Sequence, residues 1–139
     1  MKVHILAGLA LALSSSACVV ETNDPGPPGV VVHDSGSLVV DWTIDGTKSV
    51  DDCDLSGAAT IDITVTASNG APAGEFQQAC ATFATTITLA PGSYSAEAVL
   101  LDGAGRDRTT AVQLRPFEIF GNDQLSIPIE FPASSFYAQ

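Results

Sequence analysis

Apolar and polar residues alternate with a period of two along most of the chain from about residue 37 onward. Such alternation is typical of β-strands that bury one face and expose the other. It predicts strands over residues 37–45, 59–68, 82–89, 93–101, 108–114 and 125–131. Pro128 interrupts the last segment. Because proline cannot donate a hydrogen bond to a neighbouring strand, we expect that strand at an edge or a bulge.

Turn-forming residues separate these segments at regular intervals. The turn signals are Asp45-Gly46, Asn69-Gly70, Pro91-Gly92, Asp102-Gly103 and Gly121-Asn122. Short strands with such punctuation predict an all-β fold, an antiparallel β-sandwich of six to eight strands. Helix is expected only in residues 75–84, where Phe76, Ala79 and Phe83 have approximately helical spacing and favour one or two turns.

The first 17 residues lack this alternation and resemble an export signal. Lys2 supplies a basic start, Ile5–Leu13 is a short apolar run, and the small residues Ser14–Ala17 follow it. These are the three parts of a secretory signal peptide. The apolar run is too short to cross a bilayer, which needs about 20 residues.

Cys18 follows the small residues directly, and Ser15-Ser16-Ala17-Cys18 resembles the lipoprotein box of bacterial lipoproteins. The resemblance implies that Cys18 becomes the acylated first residue of the mature chain, with the lipid bilayer as its partner. Val20 stands where an Asp would favour retention at the inner membrane, which implies an outer-membrane location. The alternative is an ordinary signal peptide cut near Ala17, giving a secreted or periplasmic protein.

The odd number of cysteines bears on this choice. The chain has three, Cys18, Cys53 and Cys80, and an odd count in an exported protein leaves one cysteine to be explained. Acylation of Cys18 leaves Cys53 and Cys80 to form a disulfide in an oxidising compartment. Two free thiols are the alternative, and the spacing fits no zinc site.

Between Cys18 and Ser35 the chain is rich in proline and glycine, which predicts a flexible tether. The expected organisation is therefore a signal peptide over residues 1–17, a lipidated N-terminus and tether over 18–35, and a β-sandwich domain over 36–139.

Charge excludes one class of partner. The chain has 5 basic and 16 acidic residues and a net charge of -11. Export would remove Lys2 and make the mature chain slightly more acidic. A polyanion would repel such a protein, so nucleic acid is not expected as a partner.

One short motif resembles those of known sandwich domains. Leu89-Ala-Pro-Gly-Ser-Tyr94, with alternation after it, is similar to a strand start in transthyretin-like, carboxypeptidase-regulatory-like and immunoglobulin-like domains. The resemblance implies a tight turn followed by a tyrosine packed into the next strand. It implies nothing about activity.

Candidate chemistry is sparse. His33-Asp34-Ser35 contains the residue types of a hydrolase triad, but such residues normally converge from separate elements, so no catalytic residue, enzyme activity or cofactor is expected. Asp51, Asp52 and Asp54 are candidate calcium ligands, although the spacing of a calcium-binding loop is absent. Residues 116–120 and 136–137 are apolar and either cover the end of the sandwich or offer an edge to a partner.

These observations predict an exported, lipid-anchored envelope protein with a structural role or a protein- or glycan-binding role. A periplasmic module that binds a small ligand or calcium is the alternative.

Overall fold

The computed structural model of the chain describes residues 34–138. The predicted signal peptide, Cys18 and the tether up to His33 lie outside this range. The strands are β1 (Gly36–Ile44), β2 (Thr60–Ala67), β3 (Pro72–Ala79), β4 (Ala84–Leu89), β5 (Gly92–Leu101), β6 (Val112–Ile119) and β7 (Gln124–Phe131). One α-helix, α1 (Val50–Ser56), joins β1 to β2, and short 3-10 turns cover Cys80–Thr82 and Ala133–Ser135.

The strands form two sheets that pack as a sandwich. One sheet has the order β4-β1-β7 and the other the order β3-β2-β5-β6. The predicted all-β sandwich of six to eight strands is confirmed. Four of the five strand pairs are antiparallel, whereas β1 and β7 run parallel. β7 lies at the edge of its sheet, which fits the position of Pro128.

The core lies between the sheets and comes from the alternation in the sequence. In β1 the side chains of Leu38, Val40 and Trp42 are fully buried, and the residues between them are partly exposed. Trp42 packs at a ring-centroid distance of 6.4 Å from Phe83 and donates a hydrogen bond from Nε1 to the Cys80 carbonyl oxygen at 3.0 Å. The buried indole nitrogen is therefore satisfied, as a core tryptophan requires.

Of the one or two helical turns expected in residues 75–84, only the 3-10 turn Cys80–Thr82 is present, and no α-helix forms there. Residues up to Ala79 belong to β3, which pairs with β2 and directs the partly buried Phe76 toward the core. Pairing with β2 supplies hydrogen bonds up to Ala79 and overrides the accidental helical spacing of Phe76, Ala79 and Phe83. The helix occurs instead at Val50–Ser56, where its acidic first turn suits the positive end of the helix dipole.

The other difference concerns β6. It begins at Val112 and extends through Ile119, so the predicted segment 108–114 is displaced toward the N-terminus. The apolar residues of segment 116–120 therefore lie in a strand, with Phe117 and Ile119 buried. Phe136 packs against the core from the C-terminal segment, in agreement with a covering role, whereas Tyr137 remains exposed.

The predicted turn before Tyr94 links the two sheets. β4 ends at Leu89 and β5 begins at Gly92, with only two residues between them. The Tyr94 hydroxyl donates to the carbonyl oxygen of Ala90 at 2.7 Å, and its ring stacks on Phe117 at 5.9 Å. This hydrogen bond back to the preceding turn is the tyrosine-corner arrangement of many sandwich domains.

The connections divide the sandwich into two ends. At the N-terminal end, where residue 34 leads into β1, lie the turns 68–71, 90–91 and 120–123. At the opposite end, which we call the loop end, lie α1, the Cys80–Thr82 turn, the loop 102–111 between β5 and β6, and the C-terminal segment 132–138. The longer connections of the described chain therefore cluster at one end.

Candidate functional site

A disulfide holds two of the loop-end segments together. Cys53 of α1 is bonded to Cys80 of the 3-10 turn, with a Cα–Cα distance of 6.1 Å. Both cysteines are buried, and they are the two that the sequence analysis pairs. The bond fixes a helix of only seven residues, which would be marginal without tertiary support.

Helix α1 ends at Gly57, and the backbone conformation there explains the glycine. Gly57 has φ 69°, in the left-handed region that glycine adopts without the penalty of a Cβ atom. Its N–H donates to the Asp54 carbonyl oxygen at 3.1 Å, and the N–H of Ala58 donates to that of Cys53 at 2.9 Å. The chain thus leaves α1 sharply and reaches β2 within a few residues.

The calcium candidates Asp51, Asp52 and Asp54 all lie on α1. Asp51 and Asp54 are exposed, and Asp52 accepts a hydrogen bond from the hydroxyl of Thr47. Asp51 and Asp54 are three residues apart and share one side of the helix, whereas Asp52 is turned about 100° away from Asp51, so the three side chains do not converge. Within residues 34–138, no group of three or more His, Cys, Asp or Glu side chains is arranged to hold a metal ion.

The loop between β5 and β6 is organised by the Asp102 carboxylate. One oxygen accepts from the backbone N–H groups of Ala104 and Arg106 at 2.8 and 3.0 Å, and the other accepts from Arg106 Nε at 2.8 Å. The hydrogen bond from the Arg106 backbone N–H is the main cause that lowers the pKa of Asp102 below its usual value. The hydrogen bond from the Arg106 side chain also lowers it. The loop therefore has a defined shape around an ionised carboxylate.

Arg108 connects this loop to the helix. Its Nε and Nη2 atoms both donate to the Ser56 carbonyl oxygen, at 3.1 and 3.0 Å. This carbonyl is one of those that a helix leaves unpaired at its C-terminus, so the guanidinium satisfies it and also complements the helix dipole. The carbonyl oxygen of Arg108 accepts from the N–H of Tyr137 at 2.9 Å, which brings the C-terminal segment to the same place.

These contacts border a groove of about 590 Å³ at the loop end. Its lining residues are Gly57, Asp102, Arg106, Asp107, Arg108, Tyr137 and Ala138. The volume is in the range of small-molecule sites, and the lining combines carboxylates, guanidinium groups and an exposed tyrosine. Such a surface offers donors, acceptors and one aromatic face, which suits recognition by hydrogen bonds and stacking.

The residues that would support catalysis are not assembled in the described part of the chain. His33 lies outside it, and Asp34 and Ser35 both contact Asn122. The amide of Asn122 donates to the Asp34 carboxylate at 2.8 Å, and its backbone N–H donates to the Ser35 carbonyl oxygen at 3.1 Å. Asp34 and Ser35 therefore hold the turn between β6 and β7.

The outer face of the four-stranded sheet carries a carboxylate that the sequence analysis did not single out. Oδ1 of Asp62 is inaccessible to water and has no hydrogen-bond partner among the described residues. Burial is the largest of the causes that raise the pKa of Asp62. The charge of Glu75 and a hydrogen bond with its side chain raise it further, and so does the charge of Asp107. In the sequence Asp62 resembles any other polar position of an alternating strand. Its proximity to Glu75 follows only from the pairing of β2 with β3.

Comparisons with known proteins show no family for this chain. No family model matches it, and no curated protein matches it. One solved structure, a leucine-rich repeat protein from Bacteroides thetaiotaomicron, aligns at 16% identity with a TM-score of 0.46. The alignment covers 73% of this chain and 14% of the other. At that similarity it carries no argument about fold or function. No helix within residues 34–138 is long and apolar enough to cross a membrane.

Sequence reasoning found some parts of this site and missed others. The disulfide follows from the cysteine count, and Tyr137 was recognised as an apolar position near the C-terminus. The groove was missed because the contact between Arg108 and Ser56 joins residues 52 positions apart. The available signal was local: Asp102-Gly-Ala-Gly-Arg106 is a turn sequence with an acid and a base four residues apart.

Proposed function

We propose that the chain is an exported envelope protein, anchored to the bilayer through acylated Cys18, which binds a protein or glycan partner without catalysing a reaction. The observation that carries this proposal is the position of the groove. The residues that precede β1 join the domain at the N-terminal end, and the groove lies at the loop end. In a chain anchored through its N-terminus, the groove would thus lie at the end of the domain opposite to the point of attachment and stay accessible to a partner.

The cysteine chemistry supports export and anchoring. Cys53 and Cys80 form a disulfide, which is typical of proteins that fold outside the cytosol. Their pairing leaves Cys18 as the third cysteine, directly after the residues that resemble a lipoprotein signal. Several acyl chains on one cysteine would hold the protein stably on a bilayer, whereas a single chain binds only weakly.

The arrangement of the loop end supports a binding role. Loops on a rigid scaffold commonly carry recognition, and here a disulfide and the Arg108 contact hold them in place. Binding a small ligand in the groove is the second candidate, favoured by its volume of about 590 Å³.

Labelling with radioactive palmitate in the producing cell tests the anchor. We expect the intact chain to incorporate the label and the Cys18→Ala variant to incorporate none. A matched control replaces Cys53 and Cys80 together by alanine, which removes the other thiols and should leave labelling intact. Labelling that persists in Cys18→Ala, or that is absent from the intact chain, would refute the lipid anchor.

A further inference from the structure

Edge strands expose unpaired backbone groups, and natural sheets protect them against pairing with other chains. Proline, charged side chains and bulges are the usual means of protection. Three of the four edge strands in the described sheets carry such features: Pro72 and Glu75 in β3, Arg115 and Pro116 in β6, and Pro128 and Glu130 in β7.

β4 is the exception. Its six residues, Ala84-Thr-Thr-Ile-Thr-Leu89, include no proline, glycine or charged side chain. Most of them are β-branched residues, which favour an extended, pleated strand. β4 therefore lacks the features that disfavour strand addition at the other three edges.

The register identifies the backbone groups that β4 leaves free. The N–H of Trp42 donates to the carbonyl oxygen of Phe83 at 3.1 Å, so this position is a hydrogen-bonded pair of the β1–β4 ladder. Hydrogen bonds in an antiparallel pair alternate along each strand. The backbone groups of Thr85, Ile87 and Leu89 therefore point to β1, and those of Ala84, Thr86 and Thr88 point away.

The side chains of Ala84, Thr86 and Thr88 are exposed, and among the described residues no strand pairs with β4 on the side facing away from β1. The three positions are evenly spaced, with Thr86 in the middle. If two such edges meet antiparallel, Thr86 pairs with Thr86 of the other copy and Ala84 pairs with Thr88. The edge is therefore complementary to itself, as a two-fold interface requires.

An edge without charged residues is favourable for contact between two copies of an acidic domain. The described residues hold 14 of the 16 acidic residues and only four basic ones, so two domains repel each other at most approaches. In the row next to the edge, Ser37 lies opposite Thr88 and Val39 lies opposite Thr86, and both are uncharged. Asp41, opposite Ala84, is paired with Lys48 at 3.3 Å.

We propose that two copies of this chain associate through β4, pairing antiparallel about a two-fold axis at Thr86 and joining their three-stranded sheets into one. The contact is a single short strand, well below the interface area of a permanent dimer, so the association is weak and reversible. Common anchorage on a membrane would raise the effective concentration and favour it. Salt strengthens it by screening the repulsion between acidic domains.

Cross-linking of the full chain in membranes tests the geometry. A Thr86→Cys variant places two thiols at the two-fold axis, and a short thiol-reactive cross-linker should join two copies. Gln113→Cys, exposed on β6 at another edge, is the matched control and should give little product. Equal yields from the two variants, or no product of twice the mass from Thr86→Cys, would overturn the proposal. A product with a different protein in place of the second copy would do the same.

Sedimentation of the purified full chain in detergent supplies a second measurement. Thr86→Lys places like charges directly opposite each other and should weaken association by about fivefold. Gln113→Lys adds the same charge at the β6 edge and should leave association unchanged. Equal melting temperatures would show that both variants are folded. The proposed interface would be contradicted if association became weaker as salt is raised. It would also be contradicted if Thr86→Lys left association intact.

Discussion

The two ends of this sandwich are built differently. At the N-terminal end the strands are joined by short turns such as 90–91 and 120–123, and backbone contacts are close: a Cβ atom at Gly36 would lie 2.3 Å from the Phe120 carbonyl oxygen. At the loop end the connections are longer and are held by a disulfide and by side-chain hydrogen bonds. Tight backbone turns therefore join the strands at one end, and cross-links hold the longer loops in place at the other.

Removing the disulfide should have the largest effect on the loop end. The bond closes a loop of about 28 residues, so replacing Cys53 and Cys80 together by alanine should lower the free energy of unfolding by about 3.5 kcal/mol. Urea unfolding with and without reductant measures this change. Reductant should destabilise the intact chain and leave the double variant unaffected. An intact chain that is insensitive to reductant under denaturing conditions would show that the bond does not stabilise the loops.

Removing the Arg108 side chain should have an intermediate effect. Arg108→Ala deletes two hydrogen bonds to the Ser56 carbonyl oxygen and should reduce stability by about 1.5 kcal/mol. Arg115→Ala removes the same charge from an exposed position on β6 and should change stability by about 0.5 kcal/mol or less. Equal losses in the two variants would indicate that net charge, and not the contact with α1, determines the effect.

The smallest expected effect is a change in pH dependence. The pKa of Asp62 is raised above its ordinary 3.8. At pH values between 3.8 and the folded-state pKa, the folded state therefore holds a proton that the unfolded state releases. This stabilisation is complete below 3.8 and is lost as the pH rises through the folded-state pKa. Asp102 has the opposite sign: its lowered pKa stabilises the fold above 3.8, and this contribution is lost in stronger acid.

Melting temperatures measured from pH 4 upward isolate the Asp62 contribution. The intact chain should lose stability as the pH rises, and Asp62→Asn should lose less. Glu118→Gln, on an exposed position of β6, removes one negative charge and controls for general repulsion. If Asp62→Asn and Glu118→Gln flatten the profile equally, burial of Asp62 has no specific role.

Local pattern was sufficient for the parts of the fold in which one strand face is buried. The alternation through Leu38, Val40 and Trp42 predicted β1, because those side chains fill the core whatever the neighbouring strand is. β3 was missed because it has no fully buried residue, and Phe76 and Phe83 accidentally suited a helix. Alternation of apolar and polar residues arises where one face of a strand is buried, and the edge strand β3 has no fully buried residue.

The candidate site could be predicted only in part, for a related reason. Counting cysteines was sufficient to pair Cys53 with Cys80, since a count does not depend on the fold. The groove depends on Arg108 reaching Ser56 and on Tyr137 returning to Arg108, and these contacts join distant segments. The raised pKa of Asp62 likewise depends on strand pairing. Interactions of this kind become visible only when the register of the sheets is known.

Binding at the loop end can be tested by comparing two exposed apolar residues, one at each end of the domain. Leu55 lies on α1 at the loop end and is 79% exposed, and Phe120 lies at the N-terminal end and is 58% exposed. A photoactivatable amino acid would replace each in turn in the full chain within intact cell envelopes. We predict a discrete cross-linked partner from position 55 that is absent from position 120. The same partner in equal yield from both positions, or from position 120 alone, would contradict the account.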